Sequence, residues 1–145
     1  MKPDKLVVRF INGTVMKGQT NNFFPDKTLF HLVTLEGKII RIDTQEVKAI
    51  FFVKYYEGNK LRMDHYNDLL AGNGKIAKIT FFDGEHITGF AQDYSPDSHG
   101  FFIVPTDREN NNSRVFVLQA ATAKIEFRDA LFDEKQFIKR DILKG

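Results

Sequence analysis

The sequence predicts a mostly β chain: two tandem five-stranded, strongly bent small barrels followed by a C-terminal amphipathic helix. Three observations lead there. The chain repeats itself at an offset of 71 residues. Each copy alternates apolar and polar residues with the two-residue period of a strand. Each copy also carries an Asx-Gly pair and, five residues after its glycine, a second glycine.

The repeat comes first because it organises the rest. The segment VRFINGTVMKGQTNNFFPDKTLFHLV falls without a gap on ITFFDGEHITGFAQDYSPDSHGFFIV. Phe10 meets Phe81, Gly13 meets Gly84, Gly18 meets Gly89, Pro25 meets Pro96 and Phe30 meets Phe101. With four extra residues in the second copy, Ile40 meets Val115, Ile50 meets Ile125 and Phe52 meets Phe127. The extra residues fall in 107–113, an asparagine-rich stretch that reads as a loop insertion.

Five strands are expected in each copy, at 5–11, 14–21, 28–34, 38–43 and 47–54, then at 75–82, 86–93, 99–105, 113–118 and 122–128. Val8, Phe10, Phe30 and Leu32 should point inward, with Ile79, Phe81, Phe101 and Ile103 as their counterparts. Asn12-Gly13 and Asp83-Gly84 are hairpin signals of the type I′ kind, which needs positive φ at both central residues. Gly18 and Gly89, inside the next strands, signal a bend or a bulge. The domain plan is 1–54 for the first barrel and 55–74 for a polar linker with a short helix near 64–71. The second barrel takes 75–128, and a helix at 129–145 would place Phe137, Ile138 and Ile142 on one face with Leu131.

Composition narrows the function classes. Fifteen phenylalanines and no tryptophan suit narrow barrel interiors. The absence of cysteine removes disulfides, thiol chemistry and cysteine zinc sites. No apolar run approaches the roughly 18 residues needed to span a membrane, and the expected location is cytoplasmic.

The strand, Asx-Gly turn, strand with interior glycine and following aromatic resemble the first motif of Sm-like proteins. Asn12-Gly13, Gly18 and Phe23 carry the likeness in the first copy, and Asp83-Gly84, Gly89 and Tyr94 in the second. The resemblance covers roughly 25 residues per copy and implies an Sm-like/SH3-like barrel. It also implies barrels joined through the edge of a fourth strand and the fifth strand of a neighbour. The residues that hold RNA bases in that family are replaced here by Phe24 and Thr28, and by Ser95 and His99. The Arg-Gly of the second Sm motif is missing near Ile42 and Val117, so the RNA pocket does not carry over. The repeated pattern also resembles an uncharacterised bacterial domain family.

Catalytic constellations are thin. His31, His65, His86 and His99 each stand alone in sequence, and no phosphate loop, dinucleotide fingerprint or nucleophile elbow is present. Asp93, Asp97 and His99 share one loop and are of metal-ligating types, but the first copy offers only Asn22, Asp26 and Thr28 at those places. An acidic turn is the preferred reading. No catalytic, cofactor or metal residue is therefore expected, and the chain is not expected to be an enzyme.

Two surface features remain. Residues 5–54 carry a net charge of +4 and residues 75–128 one of −1. Lys17, Lys27 and Arg41 of the basic half are the candidate contacts to nucleic acid. Alternation also leaves apolar residues outside the barrels: Val7, Ile11, Phe51 and Val53 in the first, and Phe82, Phe90, Phe102, Phe116 and Leu118 in the second. That is too much apolar surface to leave in water. Phe51 and Phe116, with Phe137 and Ile138 of the helix, are the candidate interface. The expected function is a non-catalytic interaction or scaffold protein with a protein partner or a second copy of itself. The alternative is a nucleic-acid-binding protein that uses the basic half.

Overall fold

The computed structural model describes residues 3–57, 75–92, 94–106 and 110–129. Ten antiparallel strands are formed: β1 (Asp4–Phe10), β2 (Val15–Thr20), β3 (Leu29–Thr34), β4 (Ile39–Asp43), β5 (Val47–Val53), β6 (Lys75–Phe81), β7 (His86–Gln92), β8 (Gly100–Val104), β9 (Asn112–Leu118) and β10 (Thr122–Asp129). Each lies within about two residues of its expected span. Short 3-10 turns at Thr44–Glu46 and Gln119–Ala121 link β4 to β5 and β9 to β10. The expected helices near 64–71 and at 129–145 lie essentially outside the described residues, and no α-helix is present among those described.

The hairpins follow from glycine placement. The Phe10 amide donates to the Thr14 carbonyl, and the Gly13 amide donates back to the Phe10 carbonyl. Gly13 sits at φ +93°. Phe81, Gly84 and Glu85 repeat this arrangement, as do Thr34, Gly37 and Lys38. These are three-residue loops, a type I turn closed by a left-handed glycine, and not the expected two-residue type I′ turns. The Asn12 and Asp83 carboxamide and carboxylate accept from the amides two residues on, which favours this loop.

Gly18 and Gly89 are required by close approach and not by an unusual backbone angle. A Cβ on Gly18 would lie 2.3 Å from the Val33 carbonyl oxygen, and one on Gly89 would lie 2.5 Å from Ile103 Cγ2 and from the Val104 carbonyl oxygen. The atoms met belong to β3 and β8, the strands that pair beside β2 and β7.

The pairings of the two halves correspond. Leu6 pairs with Phe52 and Val8 with Ile50, while Ala77 pairs with Phe127 and Ile79 with Ile125. Both ladders shift register at the same place, between Arg9 and Phe10 and between Thr122 and Lys124. His31 pairs with Arg41 as Phe102 pairs with Phe116.

The expectation of two tandem five-stranded small barrels is corrected. The strands form one unclosed sheet in the order β10-β6-β7-β8-β9-β5-β1-β2-β3-β4. The reason lies at its centre: the free edge of β5 pairs with β9 of the second half rather than closing on β4. β4 and β10 are left as the ends.

The core forms two apolar clusters. One gathers Leu6, Val8, Phe30, Leu32, Ile42, Ile50 and Phe52 with Phe102, Phe116 and Leu118 of the second half. The other gathers Ala77, Ile79, Phe81, Phe101, Ile103, Val115 and Val117 with Ala49 of the first. Each cluster therefore contains residues of both halves, and side chains of β5 alternate between them.

Candidate interaction surfaces

The junction between the halves is a continuous antiparallel ladder. Ala49 to Phe52 run opposite Val117 to Arg114 in register. Beyond the ladder, Asn111 of the inserted loop grips Tyr55: its Oδ1 accepts the Tyr55 amide and its Nδ2 donates to the Tyr55 carbonyl, both at 2.9 Å. Ser113 Oγ donates to the Phe52 carbonyl. The insertion thus lengthens the junction, a role that its loop-like composition did not signal.

Outside the ladder, Lys48 of β5 reaches the tip of the β6–β7 hairpin. Its ammonium donates to Asp83 Oδ2 at 2.7 Å and to Glu85 Oε1. Lys48 is buried while both carboxylates are largely exposed. Burial alone would lower its pKa, but the hydrogen bonds and negative charge of Asp83 and Glu85 outweigh it and hold the ammonium above its ordinary 10.5. Asp83 is held below its ordinary 3.8, first by Lys48 and then by the Glu85 amide.

Phe116 and Phe51 lie on this junction. Phe116 of β9 is fully buried and packs edge-on against Phe23 and Phe102, with centroids 5.1 and 5.0 Å away. Phe51 of β5 is half-buried, opposite Val7 and Val115, with the Arg9 guanidinium 5.3 Å from its centroid. Phe102 and Leu118, also expected outside, are buried against the first half, whereas Ile11 and Phe82 remain exposed. Phe137 and Ile138 lie outside the described residues.

Lys17, Lys27 and Arg41 are all exposed. Lys17 sits on β2 and Arg41 on β4, each on the face opposite the buried residues, while Lys27 is in the loop between β2 and β3. They occupy three separate elements of the first half.

The acidic loop brings Asp97 and His99 into an open cleft of about 440 Å³, which Asp26, Gln92 and Phe116 also line. Asp93 lies outside the described residues. Among those described, no group of three or more His, Asp or Glu is placed to hold a metal ion. His99 instead packs its ring 5.9 Å from Phe116.

Among the described residues the two end strands, β4 and β10, each have one unpaired edge and an exposed apolar side chain: Ile39 on β4, 70% exposed, and Phe127 on β10. Leu29 and Val33, on the neighbouring β3, are exposed as well.

Residues 2–128 match a family described as a family of unknown function, DUF6982. The chain belongs to that family. The matched span takes in all ten strands except the last residue of β10. No curated protein and no solved structure matches the chain. Membership of the family supplies no activity, and no helix among the described residues is long and apolar enough to cross a membrane.

Proposed function

We propose that this member of the family is a non-catalytic interaction or scaffold protein built from two Sm-like barrel units fused edge to edge, acting in the cytoplasm. The observation that carries this reading is the pair of strand edges left open among the described residues, each beside an exposed apolar side chain, Ile39 on β4 and Phe127 on β10. An open strand edge is a template for a further strand, and an apolar fringe beside it adds burial to the backbone hydrogen bonds. A basic first half and a slightly acidic second half then give the two ends different electrostatic character.

One observation favours a second reading. Lys17, Lys27 and Arg41 are all exposed in the basic half, where a phosphate backbone would meet them.

The experiment that tests both is a pull-down from native lysate with the full chain and with Ile39→Glu, each with and without nuclease. A protein captured by the wild type, retained after nuclease and lost with Ile39→Glu supports the interaction reading. Nucleic acid recovered in stoichiometric amount, with capture abolished by nuclease, overturns it in favour of the second.

A further inference from the structure

The two halves differ in one respect that their shared pairing makes plain. In the first half, Phe23, Phe30 and Phe52 form an edge-on aromatic trio, with Phe23 5.3 Å from Phe30 and 5.7 Å from Phe52. In the second, Tyr94, Phe101 and Phe127 form the matching trio, with Tyr94 5.0 Å from each of the others. The first trio is covered. Phe116 and Phe102 close on Phe23, and the Arg114 guanidinium stacks 4.3 Å from the Phe52 centroid. All three covering residues come from β8 and β9, the strands that the β5–β9 ladder brings over the first half. Among the described residues nothing equivalent covers the second trio. Phe52 is 3% exposed, whereas Phe127 and Tyr94 are each 36% exposed.

We propose that a second copy of this chain covers the second trio, docking the β3–β4 surface of its first half against β10 in the same register as the internal junction. The proposal rests on the interaction reading above and names its partner. Within the chain, β9 is to β5 what β4 is to β10, because the strands share their pairing pattern. Carrying the register over sets Ile125 opposite Arg41 of the next copy and Phe127 opposite Ile39.

The side chains on offer suit the surface. The positions of Phe102, Phe116 and Arg114 are filled on β3–β4 by His31, Arg41 and Ile39. His31 and Arg41 would lie against Tyr94, where a guanidinium on an aromatic face gains a cation–π interaction. Ile39 would lie against Phe127. The His31 ring is already held, with its Nδ1 3.0 Å from Asn22 Nδ2 and its backbone amide donating to Asn22 Oδ1. A polar covering set explains why this face is tolerated in water before docking, whereas the internal Phe102 and Phe116 never leave the core. The net charges of the two halves, +4 and −1, are complementary across such a junction. Because each copy presents both surfaces at different places, the contact is head-to-tail. It propagates until a ring closes or a filament grows.

Sedimentation velocity on the full chain tests this, with Ile39→Glu and Phe127→Glu as variants on opposite surfaces. Tyr94→Glu replaces Phe127→Glu if the latter loses its cooperative thermal unfolding. The wild type should form species at multiples of the chain mass that grow with concentration, and each variant alone should stay a monomer. An equal mixture of the two should give a dimer and nothing larger, since one intact surface remains on each. A wild type that stays a monomer at every concentration overturns the proposal. Assembly that survives both variants, or that the mixture does not restore as a dimer, also overturns it. The lysate experiment judges the interaction reading separately from any of these results.

Discussion

The Phe116 ring of β9 packs 5.1 Å from the ring of Phe23, in the loop between β2 and β3 of the other half. A residue that alternation assigns to the outside of one unit is thus at the centre of its neighbour's core. Phe116→Ala should cost about 3–5 kcal/mol of stability, the range for deleting a buried phenyl ring. Urea unfolding should remain a single transition for both halves in the wild type, because each cluster contains residues of both. Two separate transitions would show that the halves do not share a core.

The Lys48 link predicts a pH dependence at both ends. Asp83 has a lowered folded pKa, so its contribution is full above 3.8 and is lost as pH falls through the folded value. Lys48 has a raised folded pKa, so its contribution is full below 10.5 and is lost as pH rises through the folded value. The difference in urea midpoint between the wild type and Lys48→Met should be largest between these limits and shrink beyond each. A difference that does not change with pH would mean that Lys48 acts through packing alone.

Gly89→Ala should destabilise by about 1–3 kcal/mol through overpacking, because the added Cβ meets the Val104 carbonyl and the Ile103 side chain. Gly84 has open space but a φ of +90°, so Gly84→Ala should cost about 1–2 kcal/mol for a different reason, left-handed backbone strain. Thermal unfolding of the pair, with Gly84→Asn as a further variant, separates the mechanisms. Asn tolerates the left-handed region, so it should restore part of the loss at 84.

Much of this fold is legible in the sequence, and the illegible parts have physical causes. Strand spans follow from period-two alternation and from glycine, both of which are local. Turn type does not: Asn12-Gly13 satisfies a two-residue type I′ turn and a three-residue loop with a left-handed glycine equally well, and hydrogen bonding by Phe10 selects the second. The glycines at 18 and 89 are readable as special, but the reason is the close approach of the neighbouring strand, which the chain's local pattern does not contain. The partner of β5 is a non-local choice between β4 and β9, and the alternation pattern is the same for either. Within the residues themselves, the contrast between Phe102 and Phe116 on one hand and His31 and Arg41 on the other carries that information, since an apolar outer face must be covered. The resemblance to Sm-like proteins, with its joining of fourth and fifth strands, implied the same partner.

Under the nucleic-acid reading, Lys17→Glu, Lys27→Glu and Arg41→Glu combined should abolish binding. Wild-type affinity should also fall steeply with salt as phosphate contacts release counterions. Fluorescence anisotropy with a labelled oligonucleotide across a salt series measures both. Equal binding by the triple variant would remove these cations from any such role.

The pairing of β5 with β9 is the central claim, and backbone amide hydrogen exchange resolved by residue tests it most directly. A strand with neighbours on both sides has every amide bonded, whereas an edge strand leaves alternate amides open. The amides of Ala49, Ile50, Phe51 and Phe52 should therefore all be protected, as should those of Val115, Phe116 and Val117. Fast exchange at every second residue of β5 and β9 would make both of them edge strands and contradict the single continuous sheet.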